Sequence, residues 1–288
     1  MTILLRILLA IVAVAVSFGA ASAQQKVHLG DNAALRYWSA FGQMQDSVIT
    51  EEQAKELNLI IEGTAPYRDL KYRDLVEQNR PALETMVRGT ALVNCDWGLD
   101  YDLGPNTPVD FVRKALTLGR LNVLYSFHLA LSGDKDASVR VLAAGLRFSH
   151  DVANGGTLFA SLVAKHLLAD HLRVIAHALQ VEELSPRERL LLRQAIEQIG
   201  PEGLDWKGNV RRELTLPNGL DSQSSAALAR IIPVYIGVLD QPSTLPELQQ
   251  LIAGAPAALR EITPNPRHMV EAKQDLTEKI QQARALLQ

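Results

Sequence analysis

The sequence predicts an all-α protein built of antiparallel helical hairpins, packed as a bundle or as a short tetratricopeptide-like solenoid. Two observations lead to this prediction. Three apolar segments with helical spacing follow one another between residues 109 and 180, with only short breaks between them. No stretch shows the alternation of apolar and polar residues that is typical of a strand.

The three central helices are predicted at residues 109–131, 135–153 and 158–180. In the first, apolar and small residues recur at spacings of three and four, which predicts one face in a core. They are Val112, Leu116, Gly119, Val123, Phe127 and Ala130. Asp134 is suited to cap the second helix. The third helix is apolar almost all round, so we expect neighbouring helices to enclose it.

Shorter helices are predicted before this central region. One covers residues 31–44, and another starts at Thr50, which is spaced to form a capping box with Gln53. A short helix is expected at residues 66–78. Because proline suits the first turn of a helix, Arg80-Pro81 predicts the start of a separate helix after it.

Helical segments also follow the central region. Ser185 and Glu188 have the spacing of a capping box, which predicts a helix to residue 199. Residues 206–220 are interpreted as a loop or a short helix. Further helices are predicted at three segments, the first of them kinked by Pro233: residues 222–239, 245–253 and 267–287.

The first residues of the chain have the features of a secretory signal peptide. Residues 1–23 combine Arg6, an apolar run and a small-residue cleavage site, Ala21-Ser22-Ala23. We therefore expect a periplasmic or extracellular protein. Residues 24–183 would form a core helical domain, and residues 184–288 a helical region packed on it. No later segment is apolar enough to predict a membrane span.

Composition excludes several classes of protein. The formal net charge of −3 argues against nucleic-acid binding, which requires clustered basic residues. The single cysteine, Cys95, rules out an internal disulfide. Phosphate-binding loops and dinucleotide fingerprints are missing from the sequence, so we expect no cofactor.

A polar strip on the third central helix is the first candidate binding surface. His166, Asp170, Arg173 and His177 recur at i, i+4, i+7 and i+11, which places them on one face. We expect Asp170 to pair with Arg173 or His166. A metal ion would need a further ligand from another helix, and none is identified, so no metal is predicted. His171 lies on an apolar face and is interpreted as a core histidine.

The turn-rich loop at residues 94–105 is the second candidate, with Asp96 and Trp97 as its binding residues. Cys95 could be a nucleophile if its pKa were lowered and a base lay nearby; otherwise it is a small buried side chain. Aspartates in the loop could bind calcium, but they are better explained as turn-forming residues. Trp97 could line a ligand groove with other aromatic residues, although such residues more often form core: Trp38, Phe41 and Tyr101.

Two short motifs give the chain a resemblance to known proteins. Asn32-Ala33-Ala34 with Tyr37, then Cys95-Asp96-Trp97-Gly98, then long helices around Gly133-Asp134 resemble a group of exported bacterial all-helical proteins. The resemblance covers about residues 31–179, and the tetrapeptide after Asn94 is its most specific part. It implies a helical fold and export, and it supplies no catalytic residues.

These observations favour a binding or scaffolding protein of the cell envelope, with another protein as its partner. The alternative is a hydrolase, with its site near Cys95 and Asp96 or on the His166–Asp170 face. The two hypotheses differ in one structural requirement. Catalysis requires the polar groups to converge in a single pocket.

Overall fold

The structure, a computed structural model, describes residues 29–45, 49–181, 184–215 and 220–288. Within these ranges the fold is all-α, as predicted, and no strand is present. The extended pairing that does occur is an isolated parallel bridge between Asn32 and Asn94. The predicted signal peptide at residues 1–23 lies outside the described part of the chain.

The helices are labelled here in chain order. Those up to the end of the central region are α1 (Ala33–Gln43), α2 (Glu51–Ile61), α3 (Asp69–Gly89), α4 (Phe111–Leu131), α5 (Lys135–Ala153) and α6 (Leu158–Val181). The later ones are α7 (Pro186–Gln198), α8 (Trp206–Thr215), α9 (Ser222–Asp240), α10 (Leu245–Ala253), α11 (Ala257–Ile262) and α12 (Pro266–Leu286). Short 3-10 turns lie at Leu29–Asp31, Tyr101–Asn106 and Pro242–Thr244.

The predicted helix-start signals act as expected. Thr50 with Gln53, and Ser185 with Glu188, form complete capping boxes in which side chain and backbone satisfy each other. The Asp134 side chain accepts a hydrogen bond from the backbone of Ala137 and caps α5. Local hydrogen bonding therefore sets these helix boundaries.

The prediction of a helix break at Pro81 is wrong. Helix α3 runs without interruption past Pro81, which is exposed on its outer side. The proline removes only its own N–H donor, while buried residues continue on both sides of it: Tyr72, Val76, Asn79, Leu83 and Met86. Burial of this continuous stripe outweighs the lost hydrogen bond. The short helix α11 was not predicted either.

The central helices pack side by side in chain order, α4 on α5 and α5 on α6. Around them, α1 packs on α3, α7 lies against α5, and α12 lies along α6. Helix α6 is therefore enclosed on several sides, as its composition predicts. Residues before and after the predicted boundary at 183–184 belong to one continuous hydrophobic core. The division into a core domain and a packed region stays a prediction.

In the part of the chain that the structure describes, no helix is both long and apolar enough to cross a bilayer.

Candidate functional site

The polar strip on α6 is exposed at its two ends and buried in its middle. His166 and His177 are exposed and Arg173 is half-buried, whereas Asp170 is only 3% exposed. The predicted pairing of Asp170 is present. Arg173 Nη1 donates to Asp170 Oδ1 at 3.2 Å, and His166 Nε2 lies 3.4 Å from Asp170 Oδ2. The buried carboxylate thus holds Arg173 in place, and His166 lies beside it.

Arg120 on α4 lies beside the His166 end of the strip. Its guanidinium lies 3.1 Å from His166 Nε2 and donates to Asn58 Oδ1 at 3.4 Å. Because a guanidinium can only donate, His166 Nε2 accepts and the imidazole is neutral. Partial burial of the ring lowers the pKa of His166, the Asp170 carboxylate opposes this shift, and the Arg120 charge reinforces it. Asp170 Oδ2 has no hydrogen-bond donor among the described residues.

Arg173 and His177 open into a cavity of about 170 Å³ between α6, α12 and the end of α2. Its floor is apolar, formed by Ile61, Leu172 and Ala176, and its rim is polar, with Glu62, Gln180, Lys279 and Gln282. Small-molecule pockets usually span about 300–1,000 Å³, so this cavity fits a single side chain better than a whole ligand. We call it the strip cavity.

His171 is a core residue, as predicted. It is fully buried, its Nδ1 donates to the Leu167 carbonyl at 2.8 Å, and its Nε2 lies 3.0 Å from the Asn122 amide. Burial lowers its pKa, which keeps the ring neutral. Gly145 makes room for this pair, because a Cβ there would overlap both His171 and Asn122.

Cys95 is partly buried, and its surroundings suppress its reactivity. Its Sγ donates to the backbone carbonyl of Asp151 at 3.6 Å. Burial raises the pKa of the thiol, and the negative charge of Asp151 raises it further. Because the thiolate is the nucleophilic form, this environment favours the interpretation of Cys95 as a small packing residue.

The other two loop candidates, Asp96 and Trp97, take separate positions. The exposed Asp96 carboxylate accepts a hydrogen bond from the backbone of Gly98, an ordinary turn contact. Trp97 is buried, and its ring stacks 4.0 Å from the ring of Phe111. Among the described residues, no contact joins Asp96 or Trp97 to the polar strip. The candidate residues identified from the sequence therefore lie at two separate places in the fold, the polar strip and the loop.

The aromatic residues considered with Trp97 mostly form core. Phe41 is buried and stacks on Trp97, whereas Trp38 lies at the edge of the cluster with 42% of its surface exposed. Tyr101 is half-buried, and its hydroxyl donates to the Gly155 carbonyl at 2.7 Å. These contacts tie the loop to the end of α5.

Asp151 on α5 is the residue that joins both sequence motifs, and the sequence analysis did not identify it. It is fully buried, and the Tyr37 hydroxyl donates to its Oδ2 at 2.6 Å. Its backbone carbonyl accepts from Trp97 Nε1 at 2.8 Å, and Arg147 Nε lies 3.0 Å from its Oδ1. Its spacing could have identified it, because an aspartate ten residues after Val141 and three after Phe148 lies on the apolar stripe of α5.

Asn32 links the two motifs directly. Its side-chain oxygen accepts from the backbone of Ala34, which caps α1, and also from the backbone of Asp96. Its amide nitrogen donates to the Asp96 carbonyl at 2.7 Å. The Asn-Ala-Ala and Cys-Asp-Trp-Gly motifs are thus two halves of one structural junction.

The ranges that the structure describes also bear on metal binding. Within them, no group of three or more His, Cys, Asp or Glu side chains is arranged to hold a metal ion.

Comparison with family descriptions, curated proteins and solved structures finds no match for this chain. Functional inference therefore rests on the geometry of its own residues.

Proposed function

We propose that this is an exported helical binding protein of the cell envelope, which holds a protein partner at the polar strip of α6. One observation carries the proposal. Arg173 and His177 rim a cavity built by three helices that are distant in sequence, so the fold has to be complete before the cavity exists.

The geometry of the strip suits binding. Asp170 is buried and positions Arg173 by a charge-assisted hydrogen bond, which lowers the side-chain entropy lost when a partner binds. The apolar floor can accept the end of a partner side chain, while the polar rim can satisfy its hydrogen bonds. A fixed arginine beside an apolar floor is a common arrangement at binding hot spots.

The hydrolase alternative has less support. Burial raises the pKa of the Cys95 thiol, and its Sγ contacts a carbonyl rather than a base. On the other candidate face, His166 accepts from Arg120 and its Nε2 is not free to take a proton from a nucleophile. Neither place brings a nucleophile, a base and an oxyanion-stabilising group together.

The binding site is tested by crosslinking in the bacterium that produces the protein. A photo-reactive amino acid at His177 should give a discrete protein adduct in the envelope fraction. The same group at Glu261, exposed on α11, is the matched control and should give none. Equal labelling at the two positions, or none at His177, would contradict the proposal.

Asp170→Ala separates binding from folding. We expect it to reduce the His177 adduct strongly, while the protein stays folded at room temperature and unfolds cooperatively on heating. If the variant is unfolded at room temperature, the strip is a structural network and the binding proposal fails.

Export is tested separately by N-terminal sequencing of the protein recovered from the envelope. The mature chain should begin at Gln24, immediately after Ala21-Ser22-Ala23. Retention of Met1 on membrane-bound protein would contradict cleavage without affecting the strip cavity.

A further inference from the structure

A second groove lies between α5 and α7, near the end of α3. Two neighbouring cavities of about 280 and 300 Å³ share Arg140, Leu191 and Gln194, so they form one continuous depression. We call it the arginine groove, since three arginines line it: Arg140, Arg147 and Arg187. It has no lining residue in common with the strip cavity.

The groove has two regular walls. On α5 the lining residues run from Asp136 to Arg147, and on α7 they run from Arg187 to Gln198. Each run covers eleven helical steps, or about 16 Å at 1.5 Å per residue. An extended peptide advances about 3.3 Å per residue, so the groove matches about five residues of extended chain.

The floor and the rim differ in character. Small and aliphatic residues form the floor: Val87, Ala143, Ala144, Leu191 and Ala195. At one end Leu190 is half exposed, which leaves apolar surface in contact with water. A ligand with alternating side chains could place one set on the floor and the other against the rim.

The charge of the groove opposes that of the whole protein. Among its charged lining residues, three are arginines and one is an acid, Asp136, which pairs with Arg140. The whole chain carries a formal net charge of −3. With the buried Asp151 that faces Arg147 included, arginines still outnumber carboxylates here by three to two. A locally positive surface on an acidic protein favours an anionic partner at this place.

One of the three arginines is held in place by the fold. Arg147 Nη2 donates to the Val93 carbonyl at 3.0 Å, and its Nε faces the buried carboxylate of Asp151. Its side chain is 26% exposed, so the guanidinium still borders the groove. Such fixed geometry reduces the entropy that binding has to overcome.

We propose that the arginine groove binds an extended acidic peptide segment of another protein, with alternating acidic and apolar residues. Acidic side chains contact the three arginines, and apolar side chains lie on the floor beside Leu190 and Leu191. Duplex nucleic acid does not fit this site, because it needs a broader basic surface and the acidic remainder of the protein repels it.

Fluorescence anisotropy with the purified protein tests the proposal. The probe is a fluorescein-labelled six-residue peptide of alternating Glu and Leu, and a Lys–Leu peptide of equal length is the comparison. We expect saturable binding of the acidic peptide and none of the basic one. Binding should weaken as salt is raised, because the charges on the rim are accessible to solvent.

Two sets of variants locate the binding site. Arg140→Glu combined with Arg187→Glu should weaken binding about tenfold, since two attractions become repulsions. Arg230→Glu combined with Arg260→Glu makes the same charge change at exposed positions of α9 and α11, and should leave binding unchanged. Gln194→Trp keeps the charge but fills the groove, so it should also weaken binding. Circular dichroism and thermal unfolding confirm that each variant is folded.

Three results would overturn the proposal. The first is failure of the acidic peptide to bind the folded wild-type protein. The second is an equal loss of binding in the groove and control double variants, which would indicate a general charge effect. The third is binding to phosphatidylglycerol vesicles, lost in the groove variants, without any binding of the peptide; this would assign the groove to a lipid surface.

Discussion

At the scale of single residues, burial decides whether Cys95 is reactive. A thiol that gives up its proton here would place a negative charge close to Asp151 in a poorly solvated site. We expect a thiol reagent at pH 7 to label the native protein far more slowly than the unfolded protein. Rapid labelling of the native state would contradict the packing role.

The same site predicts a cost for Cys95→Ser. Serine places a hydroxyl where a weakly polar thiol packed, and we expect the free energy of unfolding to fall by about 1–3 kcal/mol. Urea denaturation measures this change, and Cys95→Ala separates the effect of polarity from that of lost volume. A Cys95→Ser variant as stable as the wild-type protein would show that the position is well solvated.

His171 predicts how stability depends on pH. Burial lowers its pKa in the folded protein, so below about pH 6.5 the unfolded chain takes up more protons than the folded one. The contribution of neutral His171 to the free energy of unfolding is therefore fully present above about pH 6.5 and is lost as the pH falls. A single group contributes at most about 1.4 kcal/mol per pH unit.

Urea denaturation at pH 7 and pH 5 checks this prediction. The loss of stability at pH 5 should be smaller in His171→Gln, because glutamine has no proton to bind. Part of the loss should remain, because the pKa of His166 is also lowered by partial burial. His268→Gln, at an exposed position, is the control and should lose as much as the wild type. An unchanged loss in His171→Gln would contradict the neutral buried imidazole.

At the scale of elements, two helical glycines give a matched pair of tests. In an exposed helix, Gly→Ala stabilises by about 1 kcal/mol. Gly145→Ala should instead destabilise by about 1–3 kcal/mol, because the new Cβ would overlap His171 and Asn122, which are both buried. Thermal unfolding measures the difference.

Gly119→Ala should cost less than Gly145→Ala. The nearest atom to its new Cβ is Leu167 Cδ2 at 2.6 Å, the end of a flexible side chain that can rotate away. Equal losses at the two glycines would show that the His171–Asn122 pair does not limit the packing of α5.

Local signals explain why so much of the helical structure was predictable. Thr50, Asp134 and Ser185 act on backbone groups within three residues, so sequence spacing alone identifies the helix starts. At Pro81 the same local rule gave the wrong answer. The helix continues there because tertiary burial, which a local window does not contain, outweighs a lost hydrogen bond.

At the scale of the whole molecule, α12 contributes one face to the hydrophobic core. Its buried face includes Met269, Leu276 and Ile280 and packs along α6. The buried Lys273 also donates to the Leu239 carbonyl at 3.0 Å and pairs with Glu202 at 2.9 Å. Deleting residues 264–288 should therefore abolish cooperative unfolding and expose apolar surface.

Thermal unfolding and dye binding to apolar surface measure the effect of this deletion. Full-length protein carrying Glu271→Ala and Glu278→Ala, on the exposed side of α12, is the control and should unfold as the wild type does. If the deleted chain keeps the wild-type midpoint, α12 is an accessory to a core that the rest of the chain forms without it.

The candidate sites show where prediction from sequence ends. Helical spacing alone brings Asp170 and Arg173 together on α6, so their pairing could be predicted. The strip cavity could not, because Ile61 and Lys279 reach it from α2 and α12. The Asp151 junction was missed for the same reason, since its partners Tyr37 and Trp97 belong to distant segments.

The contact between Tyr37 and Asp151 has a consequence for the newly made chain. The two residues are 114 positions apart, so α1 is synthesised long before the carboxylate that anchors it. At about 5–20 residues per second, this interval lasts roughly 6–23 s. During that time the aromatic side chains of α1 have no buried carboxylate to meet, and a chaperone that holds extended chains has a segment to bind. The separation of Tyr37 and Asp151 thus sets the earliest moment at which α1 can dock on α5.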